Sequence, residues 1–158
     1  MVKRGAVVLF VGFTITFSLL GCASVVSFKR DLAKEDYDFT LLEDVPFDGK
    51  LFVPDIVEFL KTGESCVSSE VTTQRDKELN AHLGQRHAEY LLKHQKLIPK
   101  EWRGKYFLTF PGTVWWDSSG SRAIPYLYWY DGGWYLSFHW LRNVWRSDCR
   151  PMRFPVVL

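Results

Sequence analysis

Residues 126–140, with the sequence YLYWYDGGWYLSFHW, constrain the fold more than any other stretch of the chain. Asp131-Gly132-Gly133 is a tight-turn signal between two aromatic strands. A two-residue turn at Asp131-Gly132 pairs Trp129 with Trp134 and separates two chemically distinct sets of side chains, whereas a three-residue loop mixes them. Because the face that must be buried determines the register, the sequence predicts a hairpin with the two-residue turn.

The two faces of this hairpin are expected to differ in chemistry. One is apolar and carries Leu127, Trp129, Trp134, Leu136, Phe138 and Trp140. The other, which we call the tyrosine face, carries Tyr126, Tyr128, Tyr130, Tyr135, Ser137 and His139. Two interpretations of the tyrosine face stay open. Its rings can simply cover half-buried sheet while their hydroxyls stay wet, or they can form a platform for sugar rings or a partner peptide. The candidate ligand-binding residues are Tyr126, Tyr128, Tyr130, Tyr135 and His139.

Helical patterns precede the strands. Residues 54–62 predict a short helix, and residues 74–96 predict a longer one that Pro99 ends. Asp48-Gly49 is a modest hairpin-turn signal. Strand patterns follow Pro99, so the predicted fold class is α+β. We expect an antiparallel, aromatic-rich sheet of three to five strands with two helices packed on one face, the Trp face.

The N-terminus has the pattern of an export signal. Lys3 and Arg4 form a basic head, and residues 5–20 are uncharged and apolar. The stretch ends in Leu19-Leu20-Gly21-Cys22, which resembles the lipobox of bacterial lipoproteins. That resemblance implies cleavage after Gly21, a diacylglyceryl group on the Cys22 thiol, and acylation of the freed amine.

An uncleaved transmembrane anchor and an ordinary cleaved signal are the alternatives, since no charge occurs between Gly5 and Phe28. Hydrophobicity falls after Leu20, which favours the lipobox. The lipoprotein resemblance implies a membrane partner through the lipid anchor and a cell-envelope location. Ala23 follows the cysteine where an Asp would favour the inner membrane, so the outer membrane is expected. The expected domains are a signal peptide at 1–21, a lipidated cysteine and polar tether at 22–44, and a single globular domain at 45–158.

Two cysteines remain if Cys22 carries lipid. An even count in an exported domain predicts a disulfide between Cys66 and Cys149. The alternative is a pair of free thiols, one of which could be catalytic.

Charge is unevenly distributed along the chain. Eleven acidic residues and three lysines lie between residues 31 and 70, whereas ten basic and four acidic residues lie from residue 93 onward. This asymmetry fits complementary halves of one fold, or attraction to an anionic envelope surface. Export argues against a nucleic-acid partner.

Catalytic and metal-binding motifs are weak. His87 and His94 lie seven residues apart, too far to share a zinc ion, and no phosphate-loop pattern is present. No metal, cofactor or catalytic residue is therefore predicted, although Ser137 could be combined with His139 and Asp148, or Cys149 with His139. We expect a non-catalytic envelope lipoprotein that binds a partner protein or cell-wall glycan through the tyrosine face. The alternative is a cell-wall-acting hydrolase or enzyme inhibitor centred on His139.

Overall fold

The computed structural model describes residues 39–155, which form a mixed α+β fold. The strands are β1 (Phe39–Glu43), β2 (Asp55–Ile56), β3 (Cys66–Val67), β4 (Phe107–Thr109), β5 (Val114–Asp117), β6 (Arg122–Tyr130), β7 (Gly133–Trp140), β8 (Trp145–Arg146) and β9 (Cys149–Arg153). The helices are α1 (Ser69–Glu78) and α2 (Gln85–Lys93), followed by 3₁₀ turns at Gln95–Leu97 and Lys100–Trp102. The predicted signal peptide with Gly21, the predicted lipid site Cys22, and residues 23–38 of the predicted tether lie outside the described residues.

Strand β6 organises a main sheet of seven strands. One edge of β6 pairs with β7, and the other edge pairs with β5 near its start and with β4 further along. Strand β1 extends the sheet beyond β5, while β9 and then β2 extend it beyond β4. Every pair is antiparallel except β4 with β9. The expected three to five strands were too few, because β1, β2 and β9 join through pairings between distant parts of the chain.

The predicted hairpin is confirmed. Trp129 lies opposite Trp134, and the intervening Asp131 and Gly132 have φ angles of 44° and 81°. Two successive positive φ values define a type I′ turn, whose twist matches that of the flanking strands. The apolar and tyrosine faces therefore separate as the sequence predicts.

Helix α2 packs against the apolar face of this hairpin. Ala88 and Leu91 of the helix join Leu127 and Trp134 in one buried cluster. Because Gly84 precedes α2 and has no side chain to cap it, the cap comes from a distant residue: the backbone N–H of residue 85 donates to Thr113 Oγ1 at 2.8 Å. The Thr113 hydroxyl in turn donates to Asp44 Oδ1 at 2.6 Å.

Helix α1 lies toward the other face of the sheet. Leu79, directly after α1, packs in a second cluster with Ile124 and Trp145. Ile124 alternates with Leu127 along β6 and shares a face with Tyr126, opposite to the face that α2 covers. The expectation of two helices on one face therefore holds for α2 and not for α1.

Both predicted helices differ from the observed ones. Residues 54–62 form strand β2 and irregular chain instead of a helix, because Asp55 and Ile56 pair with β9 and Phe59 is buried in the second cluster. The predicted helix over 74–96 is two helices, and the first begins earlier, at Ser69. Asn80 between them has a φ of 55°, a left-handed conformation that Asn tolerates and that ends α1.

The segment before residue 55 also departs from expectation. The sequence pattern places residues 39–43 in the tether, but they form strand β1, in which Phe39 is buried against Trp115 and Ala123. Gly49 adopts the positive φ expected of a turn, yet no strands flank it. Without a partner sheet, the local turn signal alone does not produce a hairpin.

Candidate functional site

A pocket of about 560 Å³ opens on the tyrosine face of the sheet. Its lining comprises Phe107, Thr109, Tyr126, His139, Arg142, Asn143, Val144, Arg146, Asp148 and Cys149. Strand β4 forms the floor between β6 and β9, because Thr109 lies opposite Tyr126 on one side and Pro151 on the other. Residues 141–148, which connect β7 to β9, form the rim. We call this site the tyrosine-face pocket.

The structure brings two of the five predicted ligand-binding residues into this pocket, Tyr126 and His139. Their ring centroids lie 6.1 Å apart with an edge-to-face orientation. The rings of Tyr128 and Tyr135 continue the aromatic surface outside the pocket, with successive centroids 5.7 and 5.8 Å apart starting from Tyr126. Tyr130 lies at the far end of the hairpin and is 68% exposed. The predicted platform is therefore an aromatic row that leads into a concave site.

His139 forms part of the pocket wall. Its ring packs edge-to-face on Trp145, with centroids 4.8 Å apart, and its Nε2 atom is buried without a hydrogen-bond partner among the described residues. Burial lowers the pKa of His139, while the negative charge of Asp148 opposes that change in part. The imidazole is thus neutral at physiological pH and has a free polar atom.

Thr109 supplies a second unpaired polar atom. The residue is only 1% exposed, and its Oγ1 has no partner in the part of the chain that the structure describes. An unpaired buried hydroxyl costs about 1–3 kcal/mol.

The pocket floor and rim contain residues that sequence reasoning missed, among them Thr109, Arg142 and Arg146. Thr109 becomes a neighbour of Tyr126 only through the β4–β6 pairing, which local patterns do not specify. The only available signal for the rim was the pair of arginines in the LRNVWRSD segment that directly follows the aromatic hairpin. The guanidinium of Arg142 lies over the ring of Trp140, 5.2 Å from its centroid.

No family model, curated protein or solved structure matches this chain. The tyrosine-face pocket is accordingly the feature that bears most directly on function.

The predicted disulfide is not formed. Cys66 is exposed in β3, opposite Arg146, whereas Cys149 is 6% exposed and turned into the second cluster beside Ile124. Burial raises the pKa of the Cys149 thiol to about 11, and its Sγ lies 3.9 Å from Asp148 Oδ1. A thiol in this environment stays protonated and is a poor nucleophile.

The alternative catalytic combination is only partly assembled. His139 and Asp148 both line the pocket, but Ser137, two residues along β7, does not. Within residues 39–155, no group of three side chains could hold a metal ion, and no helix is long and apolar enough to cross a bilayer.

A second, smaller cavity of about 170 Å³ lies beside α1. Asp76 lines it and is only 3% exposed, and Asp76 Oδ1 has no hydrogen-bond partner among the described residues. Burial raises the pKa of Asp76 to about 8. The charged or titratable side chains that line the same cavity are Glu43, Lys77, His82 and Arg122.

Proposed function

We propose that this protein is a lipid-anchored cell-envelope protein that binds a cell-wall glycan in the tyrosine-face pocket. One observation carries the proposal. The pocket opens on the tyrosine face, and its lining combines aromatic rings with polar side chains, among them Phe107, Tyr126, His139 and Asn143. Ligand sites are typically concave and apolar with a few polar groups that fix the orientation of the ligand, so this lining suits a ring with polar substituents.

The shape of the site favours a sugar over a flat protein surface. A volume of about 560 Å³ falls within the usual range of ligand pockets. The rings of Phe107 and Tyr126, with centroids 5.8 Å apart, offer apolar surface to a pyranose ring. Tyr128 and Tyr135 extend that surface outward, which suits further units of a glycan strand.

The anchor is the second part of the proposal. A lipid on Cys22 would hold the pocket at the membrane surface, next to the envelope polymer that it binds. A durable tether needs two or more acyl chains, and the lipobox-like sequence implies that number.

Intact-mass analysis tests the anchor. We expect the mature protein to begin at Cys22 and to carry diacylglyceryl and acyl groups. A Cys22→Ser variant is expected to keep residues 1–21 and to lack lipid. A Cys66→Ser variant is the matched control and should be processed normally. An unmodified wild-type chain that still begins at Met1 would contradict this part of the proposal.

Tyr126→Ala tests the pocket. Tyr126 lines it, and its ring supplies part of the apolar surface that we propose contacts the sugar. Removal of that surface should lower the affinity for soluble cell-wall glycan fragments by about tenfold or more. Isothermal titration calorimetry measures the affinity, and urea unfolding checks that the variant is folded.

Tyr130→Ala is the control for this variant, because Tyr130 is exposed at the hairpin tip outside the pocket. We expect its affinity to change less than twofold. Equal glycan binding by wild-type and Tyr126→Ala protein would contradict the proposed site. Cleavage of the glycan by the wild-type protein would favour a hydrolase instead.

A further inference from the structure

The cavity of about 170 Å³ beside α1 is separate from the tyrosine-face pocket, because the two share no lining residue. We call it the α1 cavity. Thr73, Asp76 and Lys77 line it from the helix, since positions three and four apart lie on one helical face. The opposite wall comes from the sheet and includes Val114 of β5 and Ile124 of β6.

The lining of the α1 cavity divides by burial into an interior and a mouth. Its buried apolar side chains are Ala81, Val114, Ile124 and Leu141. Its charged or titratable side chains other than Asp76 are all exposed: Glu43, Lys77, His82 and Arg122. Because exposed and buried residues line the same cavity, it reaches the surface, and these four residues surround its mouth. Among the described lining residues, Asp76 alone places a carboxyl group in the apolar interior.

Asp76 has no partner for its charge among residues 39–155. None of the ion pairs includes it, and its Oδ1 atom has no hydrogen-bond partner there. By contrast, the buried Arg150 is paired with Glu58 at 3.0 Å. Carboxyl groups are almost never fully buried in proteins unless they are paired. A buried, unpaired carboxyl group in the wall of a cavity therefore points to a ligand that supplies the partner.

The position of Asp76 along α1 favours a cation as that partner. The helix ends at Glu78, two residues later, and the Asp76 carbonyl accepts a hydrogen bond from the Ala81 N–H at 2.8 Å. The last turn of a helix carries partial negative charge, which stabilises a nearby cation. The charges of Lys77 and Arg122 oppose a cation only weakly, because they are exposed and screened by water and salt.

The volume of the α1 cavity limits the size of the ligand. An apolar cavity of about 150 Å³ binds benzene in another protein, so this one has room for about six to eight non-hydrogen atoms. Its apolar interior favours hydrocarbon for most of those atoms.

We propose that the α1 cavity binds a small organic ammonium ion, with the ammonium group on Asp76 and a short hydrocarbon body against Val114, Ile124 and Leu141. This second site does not depend on the proposed function. Burial raises the pKa of Asp76 to about 8, so at neutral pH the arriving cation displaces the carboxyl proton to solvent and forms an ion pair. A neutral polar molecule, or water, would leave that proton in place.

The test compares pentylamine with 1-pentanol, which has the same chain length and no charge. Both are titrated calorimetrically into the full-length chain in detergent. We expect the amine to bind at least tenfold more tightly than the alcohol at pH 8.5. At pH 7, repeated titrations in buffers of different ionisation enthalpy should show release of about one proton per amine bound and none per alcohol.

The affinity for pentylamine should also depend on pH. It should rise about tenfold between pH 6 and pH 7 and level off above pH 8, because Asp76 must lose its proton for the ion pair to form. Like a lysine side chain, pentylamine stays protonated across this range. His82→Gln should keep this dependence, which separates Asp76 from the histidine at the mouth.

Asp76→Asn should lose the preference for the amine and the proton release, and should bind 1-pentanol with unchanged affinity. The matched control is Asp44→Asn, which removes a carboxylate outside the α1 cavity and should keep both effects. Tyr126→Ala changes only the tyrosine-face pocket and should bind pentylamine as the wild type does.

Three outcomes would overturn the inference. Equal affinity of the wild type for amine and alcohol would indicate a site for neutral molecules. Binding of neither probe would mean that the cavity holds water only. Binding of the amine by Asp76→Asn as strongly as by the wild type would place the cation elsewhere. Each of these results leaves the glycan site untouched, because that site is tested by Tyr126→Ala with glycan fragments.

Discussion

Asp76→Asn is expected to make the protein more stable at pH 8, by about 2 kcal/mol or more. Asp76 is buried beside a small cavity, and its Oδ1 atom has no partner among residues 39–155. It also lies near the C-terminal end of α1, where negative charge is unfavourable. Asparagine keeps the shape of the neutral acid and removes the cost of ionisation. The gap between the ordinary pKa of 3.8 and about 8 sets an upper bound of about 6 kcal/mol on this gain.

The protonation of Asp76 explains why the substitution should stabilise the protein at pH 8. Between pH 4 and pH 8 the carboxyl is ionised in the unfolded chain and protonated in the folded one. The contribution of Asp76 to stability is therefore fully present below pH 4 and is lost as the pH rises through the folded pKa of about 8. We expect urea unfolding of the wild-type protein to show this loss, and we expect the Asp76→Asn variant to lack the part that Asp76 contributes.

Asp44→Asn is the matched control and should have the opposite sign. Asp44 Oδ1 accepts a hydrogen bond from Thr113, and Asp44 Oδ2 lies 3.5 Å from Arg86 Nε. Its loss should destabilise the protein by ~1 kcal/mol. A variant Asp76→Asn that is less stable than the wild type at every pH would show that the Asp76 carboxylate is ionised and paired.

Gly112→Ala should lower the free energy of unfolding by more than about 3 kcal/mol. A Cβ at this position would lie 2.1 Å from the backbone oxygen of His82. The neighbouring backbone cannot move away easily, because Gly112 N–H donates to the Leu83 carbonyl and Leu83 N–H donates to the Met152 carbonyl. The clash therefore forces residues 82–83, which precede α2, away from residue 112, which follows β4, and overpacking of this kind is costly.

Gly133→Ala tests whether the effect comes from the clash. A Cβ on Gly133 would meet only the side chain of Tyr135, at 3.6 Å, which is an ordinary contact distance. We expect its stability to stay within about 1 kcal/mol of the wild type in urea unfolding, since most substitutions without such a clash have small effects. If Gly112→Ala and Gly133→Ala lost the same free energy of unfolding, the backbone around residues 82 and 112 would have to move apart easily enough to admit a Cβ.

The sequence predicts the hairpin correctly because its apolar side chains and its hydroxyl-bearing side chains separate onto different faces in only one register. Trp129 and Trp134 could share a face in only one register, and Asp131-Gly132 could supply the two positive φ values that this register needs. The mixed α+β class followed from the same contrast between helical and strand patterns. In this segment the local turn preference and the burial of the apolar face favour the same structure. A prediction from sequence is reliable under that condition.

The failures lie where contacts between distant residues decide the structure. The helix predicted over 54–62 gave way to β2, because two residues gain more by pairing with β9 than the segment gains as an isolated helix. Asn80 interrupts the predicted long helix through a left-handed conformation that periodicity does not reveal.

The candidate site shows the same division between local and distant information. Tyr126 and His139 were identified because strand alternation places them on one face. Thr109, Arg142 and Arg146 were missed because the β4–β6 pairing and the path of residues 141–148 across the sheet depend on the whole fold.

The position of β9 determines when the domain can fold. This strand, the last of the described strands, lies between β4 and β2, and its first residue, Cys149, also lines the tyrosine-face pocket. A nascent chain that emerges from its N-terminus cannot complete the sheet until residue 153 has been released, however long the earlier segments have been exposed. A chain released only as far as β8 therefore leaves one edge of β4 without its partner strand and β2 without any, so both depend on the arrival of β9.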